Sequence, residues 1–154
     1  MLLSEIAEFV VKEYPKSCIA VNNVVKPGLR EDWYEDYLIG ELMDHFSYEI
    51  MDMCGCGSPD YTYEMIRRVL HIRKEWFETD DMPYDVKVKR YEENLHINYE
   101  NTMNYGMLQF VLYMLDSKGI VEHGSSIGGC FLTELGKMYL TVLDAWHEQN
   151  KEVE

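Results

Sequence analysis

The stretch "LDSKGIVEHGSSIGGCFLTELGKMYL", Leu115 to Leu140, constrains the fold more than any other part of the chain. Gly119 stands where a helix end needs a left-handed residue, so a helix stops there. Ile120 and Val121 open a strand, and "HGSSIGG" supplies a glycine-rich turn. Cys130, Phe131 and Leu132 return as a second strand. Thr133 occupies an N-cap position, and Glu134 and Leu135 open a last helix.

The rest of the chain reads as helices. "SEIAEFVVKEY" predicts a first helix with Ser4 as its N-cap and Pro15 just past its end. "SCIAVNNVV" is β-branched enough to predict a short strand, and "KPGL" a turn. From about Glu31 to Met53, Trp33, Tyr37, Leu38, Leu42, Phe46 and Ile50 recur about once per turn, which predicts a helix with that apolar face. "CGCG" breaks it. "SPD" starts another helix, with Ser58 as cap and Pro59 in the first helical position. It is expected to run through "YTYEMIRRVLHIRKEWF". "ETDDMP" connects it to a helix in "YDVKVKRYEENLHI", where Val86 and Val88 argue mildly for a strand. "ENTMNYGMLQFVLYMLDSK" is the helix that leads into the hairpin. The expected class is mainly α with a small C-terminal β-hairpin, α+β at most. At 154 residues the expectation is one domain over 1–154, with an acidic helical half over about 1–66 and the helix–hairpin–helix unit over about 84–148.

That unit resembles winged-helix regulators of the multiple-antibiotic-resistance type, which carry a similar "L..KGLV…LT..G" pattern over about the last third of the chain. In those regulators the helix before the wing enters the major groove and reads bases through Arg, Lys, Gln or Asn. Here that helix reads "MNYGMLQFVLYMLD", apolar on nearly every face with Gln109 its lone strong reader, so it is expected to be buried on more than one side. The segment Met103–Leu115 would then be plain core or a seam between two copies of the chain. The wing tip "EHGSSIGG" has no Lys or Arg to grip phosphate. The shape therefore points to packing or protein contact.

Charge points the same way. The chain carries 28 Asp and Glu against 14 Lys and Arg, a net charge of −14, and such a polyanion repels the phosphate that supplies most non-specific DNA affinity. Between Glu31 and Met65 there is no Lys or Arg at all, while acids recur. A nucleic-acid-binding alternative would have to use the basic cluster Arg67, Arg68, Arg73, Lys74, Lys87, Lys89 and Arg90.

"CGCGSP" followed by a helix, together with "YMLDSKGIVEHGSSIGG" followed by "FLTELGK", resembles small proteins encoded by bacteriophages and related mobile elements. The resemblance covers roughly the second two-thirds of the chain. It implies a host-cell setting and brings no activity with it. No run is long and apolar enough for a membrane span. Acidic Glu5 and Glu8 interrupt the N-terminal apolar stretch where a secretory signal would be continuous. The expected location is the cytoplasm of a bacterial host.

Four cysteines are too few for a secreted disulfide framework. Cys54 and Cys56 flank one glycine, whereas structural zinc sites more often place two to four residues between ligands. A zinc staple would add His123 and Cys130 from the hairpin, with His45 and His71 as further donors. The other reading, and the expected one, is a glycine-rich corner with thiols filling apolar space and no cofactor. No phosphate-binding loop, dinucleotide fingerprint, H-E-x-x-H or nucleophile elbow is present, and "HGSSIGG" offers adjacency without triad geometry. A non-enzymatic protein is expected.

The series "DWYEDY" places aromatic anchors among acids, the composition of a protein interface. Trp33, Tyr34, Glu35, Asp36, Glu41 and Asp44 are the expected contact residues for a partner with a basic surface. A nucleic-acid-handling or defence enzyme of the host would fit, with carboxylates standing where phosphates sit.

Overall fold

A computed structural model describes residues 1–21, 31–47, 59–78, 81–90 and 105–151, and for 31–34, 59–62, 105–108 and 128 it describes the backbone alone. Among these residues the chain is mostly helical, with one two-stranded antiparallel sheet near the C-terminus. The expected "KPGL" turn, the Ser58 cap, Cys54 and Cys56 lie outside the described residues.

α1 (Leu3–Glu13) buries Ile6, Ala7 and Val10, a one-turn stripe. Its N-cap is Leu2, and Ser4 lies inside the helix. Leucine has no side-chain acceptor, so only the return half of a capping box forms: the Glu5 carboxylate accepts the Leu2 N–H at 2.9 Å. That bond moves the helix start two residues ahead of Ser4. The strand expected around Ile19 is also corrected. Cys18–Val21, α2, is a single helical turn. Ser17 Oγ accepts the Ala20 N–H at 3.2 Å, and the Ser17 carbonyl accepts the Val21 N–H at 2.9 Å. A local cap outweighs β-propensity over so few residues.

α3 (Glu31–Ser47) turns Leu38, Ile39, Leu42, Met43 and Phe46 into the core. Tyr37, read as part of the apolar face, is 44% exposed. Ile39 and Met43 widen the stripe on its opposite flank instead. Gly40 sits mid-helix, exposed, with nothing near where a Cβ would stand. Gly40→Ala should therefore stabilise the chain by about 0.5–1 kcal/mol, the helix-propensity gain, read from urea midpoints at constant m-value.

α4 (Pro59–Glu78) buries Met65, Ile66, Val69, Leu70, Ile72 and Arg73. A further helical stretch, α5, covers 84–90. α6 (Tyr105–Ser117) leads to the hairpin. Where its side chains are described, Val111, Leu112, Met114 and Leu115 are buried while Phe110 and Tyr113 are 43% and 53% exposed. The helix expected to be buried on several sides thus has one buried face. α7 (Glu134–Lys151) takes that place. It packs on α1, α3, α4 and the returning strand, and it buries Met138, Tyr139, Leu140, Val142 and Leu143, which span about half the helix circumference.

One buried cluster draws side chains from α1, α2, α3, α4, α6, the hairpin and α7. Each fully buried Leu or Ile in it stabilises the fold by about 1.5–3 kcal/mol relative to exposure. Phe46 stacks on Tyr139 with ring centroids 5.5 Å apart, and the Tyr139 hydroxyl shares a hydrogen bond of 2.8 Å with Ser47 Oγ. The buried phenol is thereby satisfied.

The hairpin forms as its residues predict. The Gly119 N–H donates to the Asp116 carbonyl at 3.0 Å and the Ile120 N–H to the Leu115 carbonyl at 2.9 Å, with Gly119 at φ 75°. This is a Schellman helix end, and its hydrophobic partners Leu115 and Ile120 are both buried. β1 (Val121–Glu122) and β2 (Phe131–Leu132) pair Val121 with Leu132 inward and Glu122 with Phe131 outward. A 3₁₀ turn at Ile127–Gly129 shapes the connection, and buried Ile127 anchors it. Thr133 caps α7: its Oγ1 accepts the Gly136 N–H at 3.0 Å and donates to the Gly119 carbonyl, with the Ile120 carbonyl 3.1 Å away.

Candidate interaction surface

The core residues of α3 decide which of its acids face outward. With about 100° between successive residues, Tyr37, Gly40, Glu41 and Asp44 lie on the side opposite Leu42 and Phe46. Tyr37, Gly40 and Asp44 are exposed and Glu41 is half-buried. Position 33 falls one turn before Tyr37 on the same strip. The six residues expected to act together do not share one face. Glu35 is exposed, but it lies half a turn out of phase with Asp44, beyond the end of the core stripe. Asp36 is exposed beside the strip and accepts a hydrogen bond from Gln149 at 2.8 Å. The side chains of Trp33 and Tyr34 lie outside the described residues. Glu35, Glu41 and Asp44 make no ion pair among the described residues.

Acids elsewhere are differently placed. Between α4 and α7, Glu64 accepts from Arg67 at 3.0 and 2.8 Å and from Arg68 at 2.8 Å, and it pairs with His147 at 2.9 Å. Arg67 reaches on to Asp144 at 3.2 Å, and His71 meets the same carboxylate at 2.7 Å. His71 of α4 thus pairs with a carboxylate of α7, while His147 of α7 pairs with a carboxylate of α4. Burial works to raise the Glu64 pKa, but hydrogen bonds from Arg67 and Arg68 and the nearby positive charge outweigh it, lowering the pKa from 4.5 to about 2. The Glu64 hydrogen bond, against burial, raises the pKa of Arg67, and Asp144 adds to that.

These shifts predict how the fold responds to acid. His45, between the rings of Tyr14 and Phe46 at 5.0 Å each, has its pKa lowered from 6.5 by burial and by the charge of Lys118. The unfolded chain takes up that proton more readily, so stability begins to fall as pH drops below about 6.5. Glu64 contributes stability that is complete above about pH 4.5 and lost as pH falls from there toward 2, on the order of 2 kcal/mol after allowing for partly exposed partners. Urea denaturation from pH 8 to pH 2 should show both losses. His45→Gln should remove the first and Glu64→Gln the second, and an unchanged profile in either variant contradicts that assignment.

The basic residues do not form one open surface. Arg67 and Arg68 belong to the network just described. Arg73 is 3% exposed and donates through Nε to the Cys130 carbonyl at 2.8 Å. Lys74 lies 3.7 Å from Glu78, and Arg90 pairs with Glu75 at 2.5 Å. Lys87 donates to the Trp76 carbonyl at 2.8 Å and sits 5.5 Å from that indole centroid. Of the seven, Lys89 alone makes no such contact among the described residues. The hairpin tip Gly124–Ser126 is exposed and carries no cation. Half-buried Gln109 is followed on α6 by outward-facing Phe110 and Tyr113.

The hairpin donors face different groups. Cys130 is fully buried, and burial pushes its thiol pKa up while Arg73 pulls it down. His123 donates from Nδ1 to the Gly124 carbonyl at 2.9 Å, and its Nε2 lies 3.7 Å from Asp116. His45 sits in its aromatic box and His71 against Asp144. Among the described residues no three His, Cys, Asp or Glu side chains converge as a metal site would require.

Reasoning from sequence missed Glu64, Asp144 and His147. The spacing of Glu64 to Arg67 and Arg68 was a local signal, since residues three and four apart are neighbours on a helix. The partners on α7 gave no local signal. A groove of about 230 Å³ borders the network, lined by Met1, Lys74, Glu134, Lys137, Leu140, Thr141 and Asp144.

No family model matches the chain, and no curated protein or solved structure matches it. No helix among the described residues is long and apolar enough to cross a membrane.

Proposed function

We propose that this chain is a non-enzymatic protein-interaction module of phage or mobile-element type, which binds a basic surface of a host or phage protein through the outward strip of α3. One observation carries the reading. Glu41 and Asp44 flank exposed Tyr37 without an ion pair among the described residues, whereas the acids between α4 and α7 are held by Arg67, Arg68 and two histidines. Paired acids have little left to offer a partner. Unpaired ones beside an exposed tyrosine combine electrostatic steering with an anchor. A nucleic-acid-handling or defence enzyme in the host cytoplasm has the complementary surface, because it already accommodates phosphate.

The test is affinity capture from host lysate with wild-type chain and with Glu41→Lys/Asp44→Lys, each with and without nuclease. Wild type should retain a partner after nuclease, and the reversed chain should lose it, with at least a tenfold weaker affinity for the purified partner that eases as salt is added to the wild-type complex. Both substitutions lie outside the core, so the two chains should unfold at similar urea midpoints. Equal capture by the reversed chain overturns the assignment to α3. Loss of the partner on nuclease treatment returns the hairpin to the nucleic-acid role of the regulators it resembles.

A further inference from the structure

We draw no further inference here: the strongest candidate, the exposed aromatic patch where Phe77 of α4 and Tyr84 of α5 flank Trp76 and Phe131 of β2 meets Phe77 edge-on, is an apolar face for which nothing in the structure shows what covers it.

Discussion

Gly136→Ala should destabilise the chain by about 3 kcal/mol or more, although alanine is the better helix former by about 1 kcal/mol. A Cβ at Gly136 would stand 2.1 Å from the Ile120 carbonyl oxygen, with the Ile120 carbonyl carbon at 3.2 Å and Leu132 Cβ at 3.3 Å. Backbone makes the closest contact, so no rotamer change relieves it. Nor can Ile120 retreat cheaply. Its carbonyl accepts the Thr133 N–H at 3.1 Å, and its own N–H closes the Schellman end of α6. Moving it would loosen the helix end, the Thr133 cap and the strand pairing together. Gly40→Ala is the matched control, because the same change in open space should stabilise. Urea denaturation of both variants checks the pair. A Gly136→Ala chain within about 0.5 kcal/mol of wild type would show that the close approach carries no weight.

The same corner shows what a sequence can reveal about such a fold. Gly119 and Thr133 were legible because their signals are local: a left-handed glycine past a helix, a hydroxyl before the next. Gly136 was not. Nothing in "LTELGKMYL" says that another backbone will press against its third helical residue. The Ile19 segment failed in the opposite sense. "SCIAVNNVV" suggested a strand, while a single serine cap was enough to wind its Cys18–Val21 portion into a helical turn.

Which helix lies at the centre depends on neighbours rather than on composition. The α6 segment is the more apolar of the two, yet it is α7 that packs against α1, α3, α4 and β2. The interaction surface was legible as charge and illegible as geometry. The lack of Lys and Arg from Glu31 to Met65 was plain, but choosing contact residues by composition mixed opposite sides of α3. Only the burial of Ile39 and Met43 shows that the apolar stripe excludes Tyr37 and so turns Glu41 and Asp44 outward. The basic cluster is divided in space for a related reason. Arg67, Arg68, Arg73 and Lys74 are neighbours in sequence, but helical phase sends Arg73 inward beneath the hairpin.

Arg73→Ala is the second large effect, expected at about 3–5 kcal/mol, because a buried carbonyl loses its donor and a large buried side chain loses its packing together. Arg73 Cζ lies 5.4 Å from the Trp76 centroid and 5.5 Å from that of Phe77, and Nε holds the Cys130 carbonyl where β2 begins. Losing it leaves that carbonyl without its donor, which costs about 1–3 kcal/mol, and opens a cavity beneath two aromatic rings. Arg73→Met separates the two contributions. Methionine fills much of the space and needs no solvation, so it should recover part of the loss and leave chiefly the missing hydrogen bond. The damage should also be visible locally. Cys130 is fully buried, so its thiol should be protected from labelling in wild type, whereas Cys18 is exposed. Site-resolved mass spectrometry after brief thiol labelling should find Cys130 modified faster in Arg73→Ala than in wild type, and only slightly faster in Arg73→Met. If Cys130 stays protected while global stability falls, Arg73 supports α4 alone. If neither changes, the buried guanidinium is not what holds the hairpin against the helix.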